Sequence, residues 1–270
     1  MKFWSCLCLI LVILLGNPSN TLATSLFSTP ASRTILQDRI NTFPKWQSKP
    51  RVGKARDDLI YPDWMAGDWL VSSTEVEQIA PLAPNIITPG FEANKRYLDV
   101  EIKFQVRFER KYLPMLMGSP LPSLIVGSLP VVADRAFNGL QIARSYLGKD
   151  AVDSVKVDPN NPNRQITFLR KGRGMLISTV TGRASETPNS SRFIATEITQ
   201  QVFRRDPQIY INQVETTSSY KLLPSGDVEA EQITAIYLSP QDPDYFIAAG
   251  RPVALYRYKL KLSPIQSFLL

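Results

Sequence analysis

The sequence predicts a mainly β chain, an antiparallel β-barrel with one amphipathic helix as lid or plug; a two-sheet β-sandwich is the alternative. Three observations carry this. From Leu98 to Phe108 apolar and polar residues alternate without a break: Leu98, Val100, Ile102, Phe104, Val106 and Phe108 on one side, Asp99, Glu101, Lys103, Gln105 and Arg107 on the other. That period of two puts one face on a core and one in water. Further short runs of strand character follow at intervals, separated by turn chemistry. Only one stretch, Val132 to Leu147, has apolar residues at helical spacing (Val132, Ala136, Leu140, Ala143, Leu147), and Gly148 ends it. Many short strands with a single helix suit a closed sheet, since closure removes exposed edges.

Taken in order, the chain opens with Met1-Lys2, an apolar run from Phe3 to Leu15 interrupted only by Ser5, the breakers Gly16, Asn17 and Pro18, and Thr21-Leu22-Ala23. This is the pattern of a cleaved signal peptide, residues 1–23, because the run falls short of the ~18 residues a span requires. Residues 24–58 read as a flexible N-terminal extension that drapes over the body or is disordered, with a weak helical stretch from Ile35 to Ile40. Residues 59–270 read as one β-barrel domain, with order beginning at Tyr61-Pro62-Asp63-Trp64. Besides Leu98 to Phe108, strands are expected at Trp69 to Val76, Ser154 to Val157, Gln165 to Leu169, Met175 to Thr181, Phe193 to Phe203, Gln208 to Leu222, Val228 to Leu238 and Val253 to Leu262. Turns separate them at Asp158-Pro159-Asn160-Asn161-Pro162-Asn163, Pro188-Asn189-Ser190 and Pro224-Ser225-Gly226-Asp227.

Composition narrows the chemistry. The chain has no histidine, and its two cysteines, Cys6 and Cys8, lie in the signal segment. Imidazole-activated nucleophiles, histidine zinc sites and histidine pH switches are therefore unavailable, and the mature chain is expected to reach an oxidising compartment with no disulfide to form. The net charge of +7 becomes +6 once Lys2 is removed, 30 basic against 24 acidic residues. These charges are dispersed along strands rather than clustered as in a nucleic-acid reader, so no nucleic-acid partner is expected. No catalytic residue, metal ligand or cofactor motif is assigned; the oxygen-rich Asp158 to Arg164 stretch lacks the alternating acids of a calcium loop.

Three groups of residues stand out. Gly67 and Trp69 open the first strong strand as Gly-x-Trp, glycine letting the backbone pass close under a barrel and the indole closing its floor. The final strand alternates Tyr256, Tyr258, Leu260 and Leu262 with Leu255, Arg257, Lys259 and Lys261. Its tyrosines either face a cavity and hydrogen-bond a ligand's polar end, or cap the core with hydroxyls reaching solvent. Arg257 is the basic residue expected to stack on Trp69, although parity sets it among solvent-facing lysines. At the helix start, Asp134 is placed to cap, Arg135 to face a ligand carboxylate, and Asn138 to share a face with Asp134.

Gly67-Asp68-Trp69 with Arg257 on the last strand resembles the signature of lipocalin and other calycin barrels. The wider set is similar to an uncharacterised family of cyanobacterial and chloroplast proteins associated with the thylakoid lumen. That set is Tyr61-Pro62-Asp63-Trp64, Gly67-Asp68-Trp69, Asp134-Arg135-Ala136-Phe137-Asn138, Asp158 to Arg164, Tyr237-Leu238-Ser239-Pro240 and Arg251 to Tyr258. The resemblance implies a photosynthetic host and an exported location, thylakoid lumen or periplasm; it implies no reaction and no catalytic residue. The leading functional expectation is a binding module for a hydrophobic or amphipathic small molecule such as a pigment, lipid or isoprenoid. The alternatives are an accessory or assembly protein docking on a thylakoid membrane complex, marked by an exposed apolar patch, and a histidine-free carboxylate enzyme, marked by a buried acidic pair.

Overall fold

The structure, a computed structural model, describes residues 35–111, 129–170, 172 and 174–265; the signal segment lies outside them. Its strands are β1 (Gly53–Lys54), β2 (Gly67–Ile79), β3 (Glu101–Arg110), β4 (Val131–Ala133), β5 (Val152–Asp158), β6 (Asn161–Leu169), β7 (Met175–Asn189), β8 (Arg192–Arg205), β9 (Gln208–Leu222), β10 (Val228–Leu238) and β11 (Ala254–Pro264). Four helices accompany them: α1 (Ile35–Asn41), α2 (Phe91–Asn94), α3 (Arg135–Leu147) and α4 (Tyr245–Ala248).

Ten strands make one antiparallel sheet in the order β4, β3, β2, β11, β10, β9, β8, β7, β6, β5, curled into a half-barrel; β1 adds to β7 off this path. From β5 to β11 the chain is a meander in which each strand pairs with the next. β11 then pairs with β2, so the first and last long strands are neighbours. The path ends at β4 and β5. These are the strands that α3 joins, and α3 packs on both β3 and β5, so the helix rather than a strand ladder spans the seam. Its inner face carries Ile142, Ala143 and Tyr146, all buried. Gly139 lets the helix approach β6 closely: a Cβ there would stand 2.5 Å from the Gln165 side-chain nitrogen, which would have to swing aside.

Alternation sets the inside. Trp69, Val71, Ser73 and Glu75 of β2 and Phe104, Val106 and Phe108 of β3 are buried, as are Tyr256, Tyr258, Leu260 and Leu262 of β11. The main core joins these to Tyr61, Met65, Phe193 and Tyr220. The convex face is covered in part by the N-terminal segment, where Leu36, Ile40 and Trp46 bury Ile194, Ile233, Ala235, Tyr237 and Leu255. The segment from Ile35 to Trp46 thus packs on the body through its own apolar anchors.

Several strands are longer than the sequence reading, most of all β7, which runs to Asn189 rather than Thr181, and two boundaries shift for a local reason. β3 begins at Glu101, not Leu98: Asp99 takes a left-handed φ of 59°, which breaks the strand and leaves Leu98 and Val100 37% and 43% exposed. The helix begins at Arg135, not Val132, because Val131 to Ala133 pair with β3 and Asp134 caps the first helical turn.

Candidate functional site

Strand register converges a set of polar side chains on the inside of the half-barrel. One row runs from Glu75 through Tyr258 and Gln232 to Ser218. The next runs from Gln78 through Tyr256, Thr234, Thr216 and Glu197 to Arg183. A third holds Gln201, Ser178 and Gln165. All but Gln78 and Arg183 fall among the buried polar residues. A barrel interior built only for packing is filled by apolar side chains, whereas this one is heavily hydroxylic and amidic.

Arg135, in the first turn of α3, points into this interior and is 4% exposed. None of its three guanidinium nitrogens has a hydrogen-bond partner among the described residues. Burial lowers its pKa to about 10, opposed by the nearby charges of Glu197 and Asp58. Burial also raises the Asp58 carboxyl above its usual range, partly offset by Arg135. Glu197 is engaged elsewhere, in a buried 2.9 Å ion pair with Arg183. Arg183 also donates to Asn163 Oδ1 at 2.9 Å and to the Asp57 carbonyl. The inward Ser178, Thr199 and Thr216 hydroxyls and the Gln201 amide nitrogen are likewise without partners among the described residues. Buried polar groups are almost always hydrogen-bonded, so this concentration of donors and acceptors unmet by the described residues sets the interior apart from an ordinary packed core.

At the other end of α3 stands Glu75, 2% exposed, with neither carboxylate oxygen hydrogen-bonded among the described residues. Burial alone raises its pKa to about 8. Its cross-strand partner Tyr258 is buried, its hydroxyl without a hydrogen-bond partner among the described residues, and burial raises that phenol well above its usual range. Tyr146 completes the group, its hydroxyl against Ser73 and its own pKa pushed up to about 12 by burial. α2 covers this end, with Asn94 donating to the Tyr256 hydroxyl at 3.4 Å and Phe91 packing on the same ring.

The residues singled out from sequence thus divide. Arg135, Tyr256 and Tyr258 lie inside. The tyrosines are 1% and 3% exposed, which excludes hydroxyls reaching solvent. Asn138 does not face the interior polar rows: its Oδ1 accepts from the Arg107 N–H at 2.6 Å and its Nδ2 donates to the Arg107 carbonyl at 3.0 Å, substituting for a missing ladder neighbour at that point of β3. Asp134 caps α3 by accepting from the Phe137 N–H at 3.0 Å and sits 3.7 Å from Arg107, which also pairs with Asp68 at 2.7 Å. Gly67-Asp68-Trp69 and Asp134 to Asn138 therefore meet at Arg107. Gly67 is needed for its φ of 125°, and Trp69 is buried with its indole N–H donating to the Met65 carbonyl at 2.8 Å.

The expected stacking of Arg257 on Trp69 does not occur. In the β2–β11 register Trp69 faces Pro264, while Arg257 faces Glu77 eight residues away and on the convex side. Arg257 instead pairs with Glu231 at 2.6 Å and lies over the Phe43 ring at 5.4 Å. Strand parity decided this: a residue between Tyr256 and Tyr258 cannot share their face. Sequence reading passed over Glu75, Arg183, Glu197 and Arg107. Glu75 alone carried a signal, an acid at the inward step after Trp69, Val71 and Ser73. Among the described residues no three Asp or Glu side chains group as a metal site.

The family model for a domain of unknown function, DUF6816, matches residues 53–266. The chain belongs to that family. No curated protein and no solved structure matches it. The matched span holds the whole half-barrel and begins after the α1 segment, so the interior polar rows lie within the family domain while the cover on the convex face precedes it.

Proposed function

We propose that this protein is an exported binding module that holds an amphipathic small molecule, of pigment, lipid or isoprenoid type, inside its half-barrel. A carboxylate or other anionic end of the guest would lie at Arg135, its apolar body against Phe193, Tyr220, Leu260 and Val71. The observation that carries this reading is the Arg135 guanidinium, desolvated and without a hydrogen-bond partner among the described residues. A buried, unpaired cation is costly, and an anion supplied by a ligand removes that cost. The thylakoid lumen or periplasm of a photosynthetic organism is the proposed location, resting on the signal-like N-terminus and the sequence resemblance.

A second reading, docking on a membrane complex, is favoured by one feature: Phe246 and Ile247 of α4 are 84% and 62% exposed, and Ile247 borders the groove lined by Leu82 and Ile86. The carboxylate-enzyme reading finds less support, since Glu197 is held by Arg183 and Glu75 stands apart from it.

The test is mass spectrometry of small molecules extracted from protein purified natively from its host. A stoichiometric amphiphile with an acidic group, lost in Arg135→Met, is the expected result. Wild-type protein that carries no such compound, or an equal load on Arg135→Met, defeats the reading.

A further inference from the structure

Glu75 has no role in the site built around Arg135. The two lie near opposite ends of α3, and eleven residue steps of helix separate Arg135 from Tyr146 beside Glu75, about 16 Å along the axis. The groups that face Glu75 are Tyr258 on β11, Tyr146 on α3, Ser73 on its own strand and the neutral Gln232 across the sheet. None carries a positive charge, and burial is the one cause acting on the acid.

We propose that Glu75, together with the neighbouring Tyr258 and Tyr146, binds the protonated amine of a small molecule. This deepens the reading of the interior as a binding site and rests on it. The two carboxylate oxygens and the Tyr258 oxygen offer three acceptors to a group with three N–H donors. Tyr258 and Tyr146 lie beside Glu75, so an ammonium ion there has aromatic rings for neighbours. A guest carboxylate brings no N–H donors and is repelled by Glu75 once that acid ionises, and a hydroxyl leaves at least one carboxylate oxygen unmet. With its pKa near 8, Glu75 is mostly protonated at neutral pH in the free protein. An alkylammonium ion therefore binds with the carboxyl losing its proton to solvent, leaving an ammonium–carboxylate pair.

Isothermal titration of the full mature chain with n-octylamine, n-octanol and n-octanoate, near pH 7 in phosphate and in Tris, tests this. Octylamine is expected to bind more tightly than octanol, with about one proton released per amine, and that release is expected to vanish near pH 9.5. Glu75→Gln should weaken octylamine on the order of 100-fold and abolish the proton release, leaving octanol unchanged; Tyr258→Phe should weaken it less. Circular dichroism checks that both variants are folded. The wild-type proton release and Tyr258→Phe stand as readouts if Glu75→Gln is not. Octylamine that binds no better than octanol, or without proton release, refutes the amine site while leaving the interior a binding site. If none of the three compounds binds, the reading of the interior as a binding site falls as well.

Discussion

Glu75 gives the fold a pH dependence of definite sign. A carboxyl whose pKa rises from 4.5 to about 8 on folding binds more protons in the folded state than in the unfolded state between those values. Stability from this group is therefore fully present below pH 4.5 and is lost as pH rises toward 8, beyond which the loss levels off. The loss between pH 5 and pH 9 comes to roughly 4 kcal/mol, of which roughly 2.5 kcal/mol falls before pH 7. Glu75→Gln keeps the shape and removes the titration. Glu215 and Asp58 are also raised by burial, so the wild-type curve sums several groups and the difference between the two proteins isolates Glu75. Urea melts of ligand-free protein across pH 5 to 9 should show Glu75→Gln gaining on wild type by that amount. Parallel curves would mean that Glu75 reaches solvent or a counter-charge, and the desolvation argument would fail.

Other expectations rest on single contacts. Asn138→Ala leaves the Arg107 N–H without its acceptor, while the Arg107 carbonyl keeps the Asp134 N–H at 3.0 Å, and should cost roughly 1–3 kcal/mol by denaturant melts, against about 1 kcal/mol for the cap variant Asp134→Ala. Phe104→Ala should cost roughly 3 kcal/mol or more and Val100→Ala little, since β3 starts after Val100; comparable losses would refute the register. Trp69→Ala should cost several kcal/mol and Arg257→Ala under about 1, with additive effects in the double variant because the two do not touch; a coupling beyond about 0.5 kcal/mol would contradict the geometry. Arg39→Ala leaves Glu215, fully buried and bonded by Tyr237 and Thr217, without its cation, and should cost roughly 3–5 kcal/mol.

Much of the sheet was legible because strands buried on one face write their parity into the sequence. Gln208 to Leu222 and Val228 to Leu238 fall on β9 and β10 to the residue, and the two faces of β11 divide as its alternation implies. Parity fails where the backbone departs from it. Nothing in Leu98-Asp99-Val100 marks the left-handed Asp99, and Val132 and Ala133 read as helix because apolar residues before a helix fit either period. The seam was not legible at all, since a curl closed by α3 and one closed by a strand pair carry the same local pattern. Of the interior, Arg135 and the tyrosines could be named from their positions. Glu197 could not, because β8 alternates Thr, Glu and Gln inward where an apolar pattern was sought. The convex cover was half visible: the helical stretch at Ile35 to Ile40 was there, but Trp46 needed the facing Ile194 and Ile233 to explain it.

The most direct measurement on the central claim is a high-resolution crystal structure of protein purified natively from its host. Density for a non-protein molecule within hydrogen-bonding distance of the Arg135 guanidinium, with its body among Phe193, Tyr220 and Leu260, is the expected result. A guanidinium closed onto Asp58 and Glu197 in an interior filled by protein side chains alone would contradict it.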